Sequence, residues 1–284
     1  MKYLPDFLLP KFKPKVIENI VKGEEENLGQ IIGINLKPVD FSDYNQLSIF
    51  IESISKLKAE KDTTFYIEGI ENISKEIILE IERETGLIYK SGDNTRILNI
   101  PQIIIKVYDI LEEDYNSKET LVICSDKERL LHLLQILSNY FKFLSVFGLD
   151  ESIQDEIYEE ILQSTGISIF QPVNIERLIK IYNIIINFND EIDFDLSNIR
   201  NDVLIIDFSE KKPFNSLGKK GVIIKDINFQ IGFENILLEN YVSPSLLEGL
   251  NEDRGKIFAQ INVVDSFYYV EEIIETRIRL KGKF

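Results

Sequence analysis

Between residues 119 and 225 short apolar runs alternate with segments in which leucine and isoleucine recur at helical spacing, and this alternation constrains the chain more than any other feature. The spacing predicts strands over 120–125, 142–147, 167–170, 183–188, 203–208 and 221–227, with helices over 126–140, 151–164 and 174–181. Strands separated by helices of ten to fifteen residues call for right-handed crossovers and a parallel sheet. Runs such as NIIINF and VLIIDF are apolar at every strand position, as expected of strands covered on both faces. The fold class expected is therefore α/β: a doubly wound parallel-sheet, Rossmann-like domain.

A smaller α/β domain precedes it. KVIENIVKG (15–23) reads as a short helix, QIIGINL (30–36) as a strand, and 42–60 as a helix with Ser42 as its cap. TTFYIEGI (63–70) is a strand, and 74–86 a helix that opens at Ser74 and closes at Gly86. LIYK (87–90) is a third strand, and 100–114 a helix with Pro101 near its start. The polar stretch EEDYNSKE (112–119) is the natural seam. This gives an N-terminal domain with an extended arm over 1–115, a Rossmann-like domain over 116–250, and a C-terminal segment over 251–284. The tail from 263 to 280 reads as a helix packing back on the first domain.

Composition narrows the function. The chain has 284 residues and a formal charge of −16, which opposes the phosphate contacts that dominate nucleic-acid affinity. No apolar run approaches the roughly 18 residues of a membrane span. The start, MKYLPDFLLPKFKPK, is broken by Pro5, Pro10 and Pro14 and does not read as a signal peptide. Its Phe7, Leu8 and Leu9 are expected to lie on this chain or on a partner, so a homodimer is among the expectations. A single cysteine, Cys124, forms no internal disulfide, and a cytoplasmic location is expected.

In an open parallel sheet, ligands bind beyond the carboxyl ends of the strands. The residues expected on that rim are Ser125, Asp126, Gly148, Asp150, Gln171, Asn187, Asn189, Asp207, Ser209 and Asp226. Such carboxylates suit an oxygen-ligated cation, yet the same residue types end strands and cap helices, and no metal is expected. Cys124 and the sole imidazole, His132, sit too far apart along the helix to pair, and no Ser-His-Asp set, P-loop or zinc site is present. No catalytic residue is assigned.

The segments TLVICSD, KFLSVFGLD, IYNIIINFND and DVLIIDFSEKKP, within residues 118–232, resemble the cofactor domain of the NAD(P)-binding Rossmann superfamily. The likeness is to the form seen in shikimate dehydrogenases and glutamyl-tRNA reductases. It implies a nucleotide, NAD among the candidates, at Ser125, Asp126, Asp150, Asn187 and Asp207. Asp150 would stand where an acidic residue meets a ribose hydroxyl, and Asn187 where the chain passes the nicotinamide. The first turn departs from the pattern: residues 124–129 read CSDKER, with no glycine. Asp126 and Glu128 would face a diphosphate. Two unit charges about 4 Å apart repel by roughly 4 kcal/mol at an effective dielectric near 20, against the ~0.3–1 kcal/mol by which a helix N-terminus favours an anion. The reading that follows is a binding or regulatory module without redox catalysis. The alternatives are an NAD(P)-dependent oxidoreductase of the shikimate or amino-acid dehydrogenase type, and a self-associating interaction protein.

Overall fold

The computed structural model describes residues 13–22, 26–34, 41, 43–68, 73–218, 220–232, 240–253 and 255–279, without the side chains of 151 and 275–279. The N-terminal arm through residue 12 and Ser42 lie outside the described residues. Two compact units are present, one of Met1–Gly92 with Gln230–Arg254, the other of Asp93–Phe229 with Gly255–Phe284.

The first unit opens with β1 (Lys15–Lys22) and β2 (Glu26–Gly33), paired antiparallel. The segment read as a short helix is thus a strand. Register shifts between Val16 and Glu18 and between Ile20 and Val21 break the alternation of the pleat. The first shift adds Ile17 to β1 and the second adds Leu28 to β2, and with Ile17 inserted the apolar residues Val16, Ile17, Ile20 and Val21 fall at a spacing that mimics a helix. Next come α1 (Tyr44–Leu57), capped by Asp43 through the amide of Asn45, and β3 (Thr64–Phe65). In α2 (Lys75–Thr85) Ser74 is the cap and Gly86, at φ +71°, the left-handed terminator. Parallel to β3 runs β4 (Ile88–Tyr89).

In the second unit, α3 (Asp93–Leu111) begins well before Pro101, which lies in its interior. Its buried Ile100, Ile103, Ile104 and Val107 place it with this unit rather than before a seam at 112–119. It is followed by β5 (Thr120–Ile123), α4 (Lys127–Leu137), β6 (Leu144–Phe147), α5 (Glu151–Thr165), the single turn α6 (Ile175–Leu178), β7 (Ile184–Asn187), β8 (Leu204–Asp207), β9 (Val222–Ile224) and β10 (Asp226–Gln230). The sheet order is β6-β5-β7-β8-β9, all parallel. The expected strand at 167–170 shrinks to one parallel bridge, Phe170 to Ser145 on β6. Counting that bridge as the third strand gives the order 3-2-1-4-5-6 of dinucleotide-binding folds. Leu121, Ile123, Ile185 and Ile205 pack with Tyr182 and Phe214 on one face, while Val122, Ile184, Ile186 and Ile206, of opposite parity, are equally buried.

The expected strand over 221–227 is divided at Lys225: β9 completes the parallel sheet and β10 turns into an antiparallel one. The chain then supplies β11 (Tyr241–Val242) and α7 (Pro244–Gly249) to the first unit. Back in the second, β12 (Gln260–Val263) pairs with β10 and with β13 (Ser266–Tyr268), and α8 (Val270–Arg279) follows. The tail is therefore a hairpin plus a shorter helix. Val264 and Asp265, both at positive φ (+55° and +61°), form its two-residue turn, the geometry that matches strand twist. Val270 and Ile274 of α8 are buried, and its Glu271 pairs with Lys106 of α3 at 3.0 Å.

Candidate functional site

The order of the sheet reverses between β5 and β7, so the residues after these strands border the crevice where ligands of such folds lie. After β5 the chain reads Cys124, Ser125, Asp126 and enters α4 directly. Asp126 is the N-cap, accepting from the amide of Arg129 at 2.8 Å. The Ser125 amide donates to Asn189 Oδ1 at 2.9 Å, and its hydroxyl to the same oxygen at 3.1 Å. A backbone donor of the turn is thereby taken by a neutral side chain of the same protein.

The glycine that a phosphate cradle would need stands one strand away. Gly148, after β6, has φ +97°, and a Cβ built on it would lie 2.7 Å from Asn189 Nδ2. Its bare Cα makes room for Asn189 rather than for a ligand. Asn189 is fixed from below by Asn187, which is fully buried. Asn187 Oδ1 accepts from the Asn189 amide at 3.1 Å, and Asn187 Nδ2 donates to the Asn189 carbonyl and to Asp207 Oδ1, both at 2.9 Å. Asp207 Oδ1 also accepts from the Ser209 amide (3.3 Å) and hydroxyl (2.5 Å). Asp207 Oδ2 is buried with no hydrogen-bond partner among the described residues.

Three of the five residues expected to hold a cofactor are thus joined through Asn189: Ser125, Asn187 and Asp207. The other two are helix caps. Asp150 accepts from the Ser152 amide (2.8 Å) and hydroxyl (2.6 Å), and these bonds hold its carboxyl below the usual range. The two cations of the turn are engaged as well. Lys127 pairs with Glu156 on α5 at 2.7 Å, and Arg129 with Asp93 at 2.6 Å, its guanidinium 5.4 Å from the Phe188 ring centre.

Behind the rim lies a charged group of which only Asp226 was expected. Arg96 holds Asp226 through two bonds of 2.8 and 3.1 Å. Lys212, in the left-handed region at φ +51°, donates to the carbonyls of Asp207 (2.8 Å) and Lys225 (2.9 Å), tying the ends of β8 and β9 together. Burial pushes its amine below the ordinary lysine range. Glu210 is held above the carboxylate range by burial and then by Asp190 and Asp93. The only signals for these residues were positional: Lys212 and Glu210 follow a strand end, and Asp93 and Arg96 open α3.

The sole cysteine is not armed as a nucleophile. Burial pushes the Cys124 thiol up to about 11, and its Sγ contacts the Asp126 carbonyl at 3.5 Å rather than a base. Among the described residues no group of three or more His, Cys, Asp or Glu is placed to hold a metal ion. Nor is any described helix long and apolar enough to cross a membrane.

No family model and no curated protein matches the chain. Among solved structures it is similar to the dipicolinate synthase A chain from Bacillus subtilis, at 14% identity and a TM-score of 0.38, over 62% of this chain and 60% of that one. It is also similar to quinate dehydrogenase from Corynebacterium glutamicum in complex with NAD (12%, TM-score 0.38, 67% and 62%). A third is L-tryptophan dehydrogenase from Nostoc punctiforme (15%, TM-score 0.41, 88% and 66%). The chain thus spans three-fifths to two-thirds of the length of these proteins. The Rossmann-like assignment itself rests on the chain's own strand order.

Proposed function

We propose that the second unit is a Rossmann-like ligand-binding or regulatory module whose phosphate turn is closed to a dinucleotide, and that the protein works without redox catalysis. The observation that carries this reading is the Ser125 amide bonded to Asn189 Oδ1. A diphosphate on the turn would have to displace that bond, approach Asp126 and Glu128, and do so with Lys127 and Arg129 already paired. The residues present therefore do not fit an NAD pyrophosphate in the ordinary pose. A small molecule or a nucleotide held otherwise remains compatible with the rim. A cytoplasmic location and a homodimer belong to the proposal, resting on the single cysteine and the apolar arm.

A second reading is favoured by the strand order and by the unpartnered Asp207 Oδ2 near the switch point. It is an NAD(P)-dependent oxidoreductase of the shikimate or amino-acid dehydrogenase type, and the names of the similar structures lean toward it. Thermal unfolding with NAD⁺, NADH, NADP⁺ and NADPH separates the two. A ligand at a hundred times its Kd stabilises by about 2.7 kcal/mol, a displacement of several degrees. We expect none with any of the four; a clear rise with one of them overturns the closed turn and favours the second reading.

A further inference from the structure

The first unit contains a half-open cavity of about 840 Å³, walled by β2, α1, residues 61–68 and α7. Its size lies within the roughly 300–1,000 Å³ of small-molecule sites, which are mostly apolar with a few placed polar groups. Ile20, Phe41, Phe50, Ile54, Leu87 and Leu250 form much of the lining, and all are among the buried apolar residues.

Much of the polar lining is already paired. Gln30 Nε2 donates to the Leu57 carbonyl (2.8 Å) and Asp62 Oδ2 (2.9 Å), and Thr64 Oγ1 to the Gly249 carbonyl (2.8 Å). Lys61 donates to the Asn27 carbonyl at 2.7 Å, and Lys58 to that of Thr85. The lining carries two lysines, Lys58 and Lys61, and two carboxylates, Asp62 and Glu68, so its formal charges sum to zero. A charged guest would give up hydration here and meet no net opposite charge, which is unfavourable. An uncharged apolar guest would displace water from isoleucine, leucine and phenylalanine, which is favourable.

We propose that this cavity binds an uncharged, largely apolar small molecule. The site is separate from the sheet edge and does not depend on the function proposed for it. The test is a fluorescence titration of the full chain with the neutral probe N-phenyl-1-naphthylamine, with the anionic 8-anilino-1-naphthalenesulfonate beside it. Saturable binding of one neutral probe per chain is expected, about tenfold tighter than the anionic one. Ile31→Trp, which places an indole on the cavity wall, should weaken it by at least about tenfold while the chain still melts cooperatively. Gly29→Leu serves if that variant does not fold, since its Cβ would point to Leu250 Cδ2 at 3.3 Å. Should neither fold, probe-dependent protection of β2 amides from hydrogen exchange in the wild type is the readout. Absence of saturable binding, preference for the anionic probe, undiminished binding in a folded filled variant, or unprotected β2 amides would each overturn the proposal.

Discussion

Two strand-to-helix turns stand on neighbouring strands of the second unit's sheet, residues 124–126 after β5 and 148–150 after β6. Both end in an aspartate that caps the following helix, Asp126 for α4 and Asp150 for α5. Only the second contains a glycine, and its missing side chain accommodates Asn189, whose carbonyl oxygen then occupies the amide of the first turn. The comparison teaches that glycine content alone does not decide whether a Rossmann-like sheet can seat a diphosphate. What decides it is which group the open space admits, and here that group belongs to the chain itself.

The comparison can be broken most forcibly from behind. Asp207→Ala leaves an N–H of Asn187 and two donors of Ser209 without their acceptor in a buried site. A loss of about 3 kcal/mol is expected in urea unfolding; a loss near zero would mean that the network does not hold Asn189. Gly148→Ala comes next. Its methyl would stand 2.7 Å from Asn189 Nδ2 on a backbone at φ +97°, and about 2 kcal/mol should be lost. The same substitution at Gly166, where a Cβ meets nothing within 4 Å, isolates the backbone part of that loss. Asp126→Ala removes a cap and should cost about 1 kcal/mol, with no gain of NAD binding, because Asn189 stays in place.

The smallest effect belongs to Asp150 and is a matter of sign. Its folded-state pKa is lowered by the Ser152 hydroxyl and amide, so its contribution is complete above the carboxylate's unfolded pKa. It is lost as pH falls through the lower folded value. The stability difference between wild type and Asp150→Ala should therefore shrink on acidification. A difference that grows toward low pH would contradict the assigned hydrogen bonds.

How much was legible follows from how local each signal is. The strands of the second unit could be read because burial on both faces leaves unbroken apolar runs. Ser74 and Gly86 could be read because a cap is set by its immediate neighbours. The β1 strand could not, since the residue inserted at Ile17 shifts its alternation into a helix-like spacing. Nor could the hairpin at 260–268, whose turn uses valine and aspartate at positive φ instead of glycine. At the site, Ser125, Asn187 and Asp207 were found as strand ends. Their joining through Asn189 was not, because Ser125 and Asn189 are 64 residues apart. The pairs Arg129–Asp93 and Arg96–Asp226 span 36 and 130 residues and exist only once α3 is packed.

The most direct measurement is a crystal structure of the chain grown with millimolar NAD⁺. The account predicts the Asn189 side chain on the Ser125 amide, as in the free protein, and no diphosphate at the start of α4. Phosphate oxygens resting on the amides of Ser125 to Lys127, with Asn189 swung aside, would contradict it.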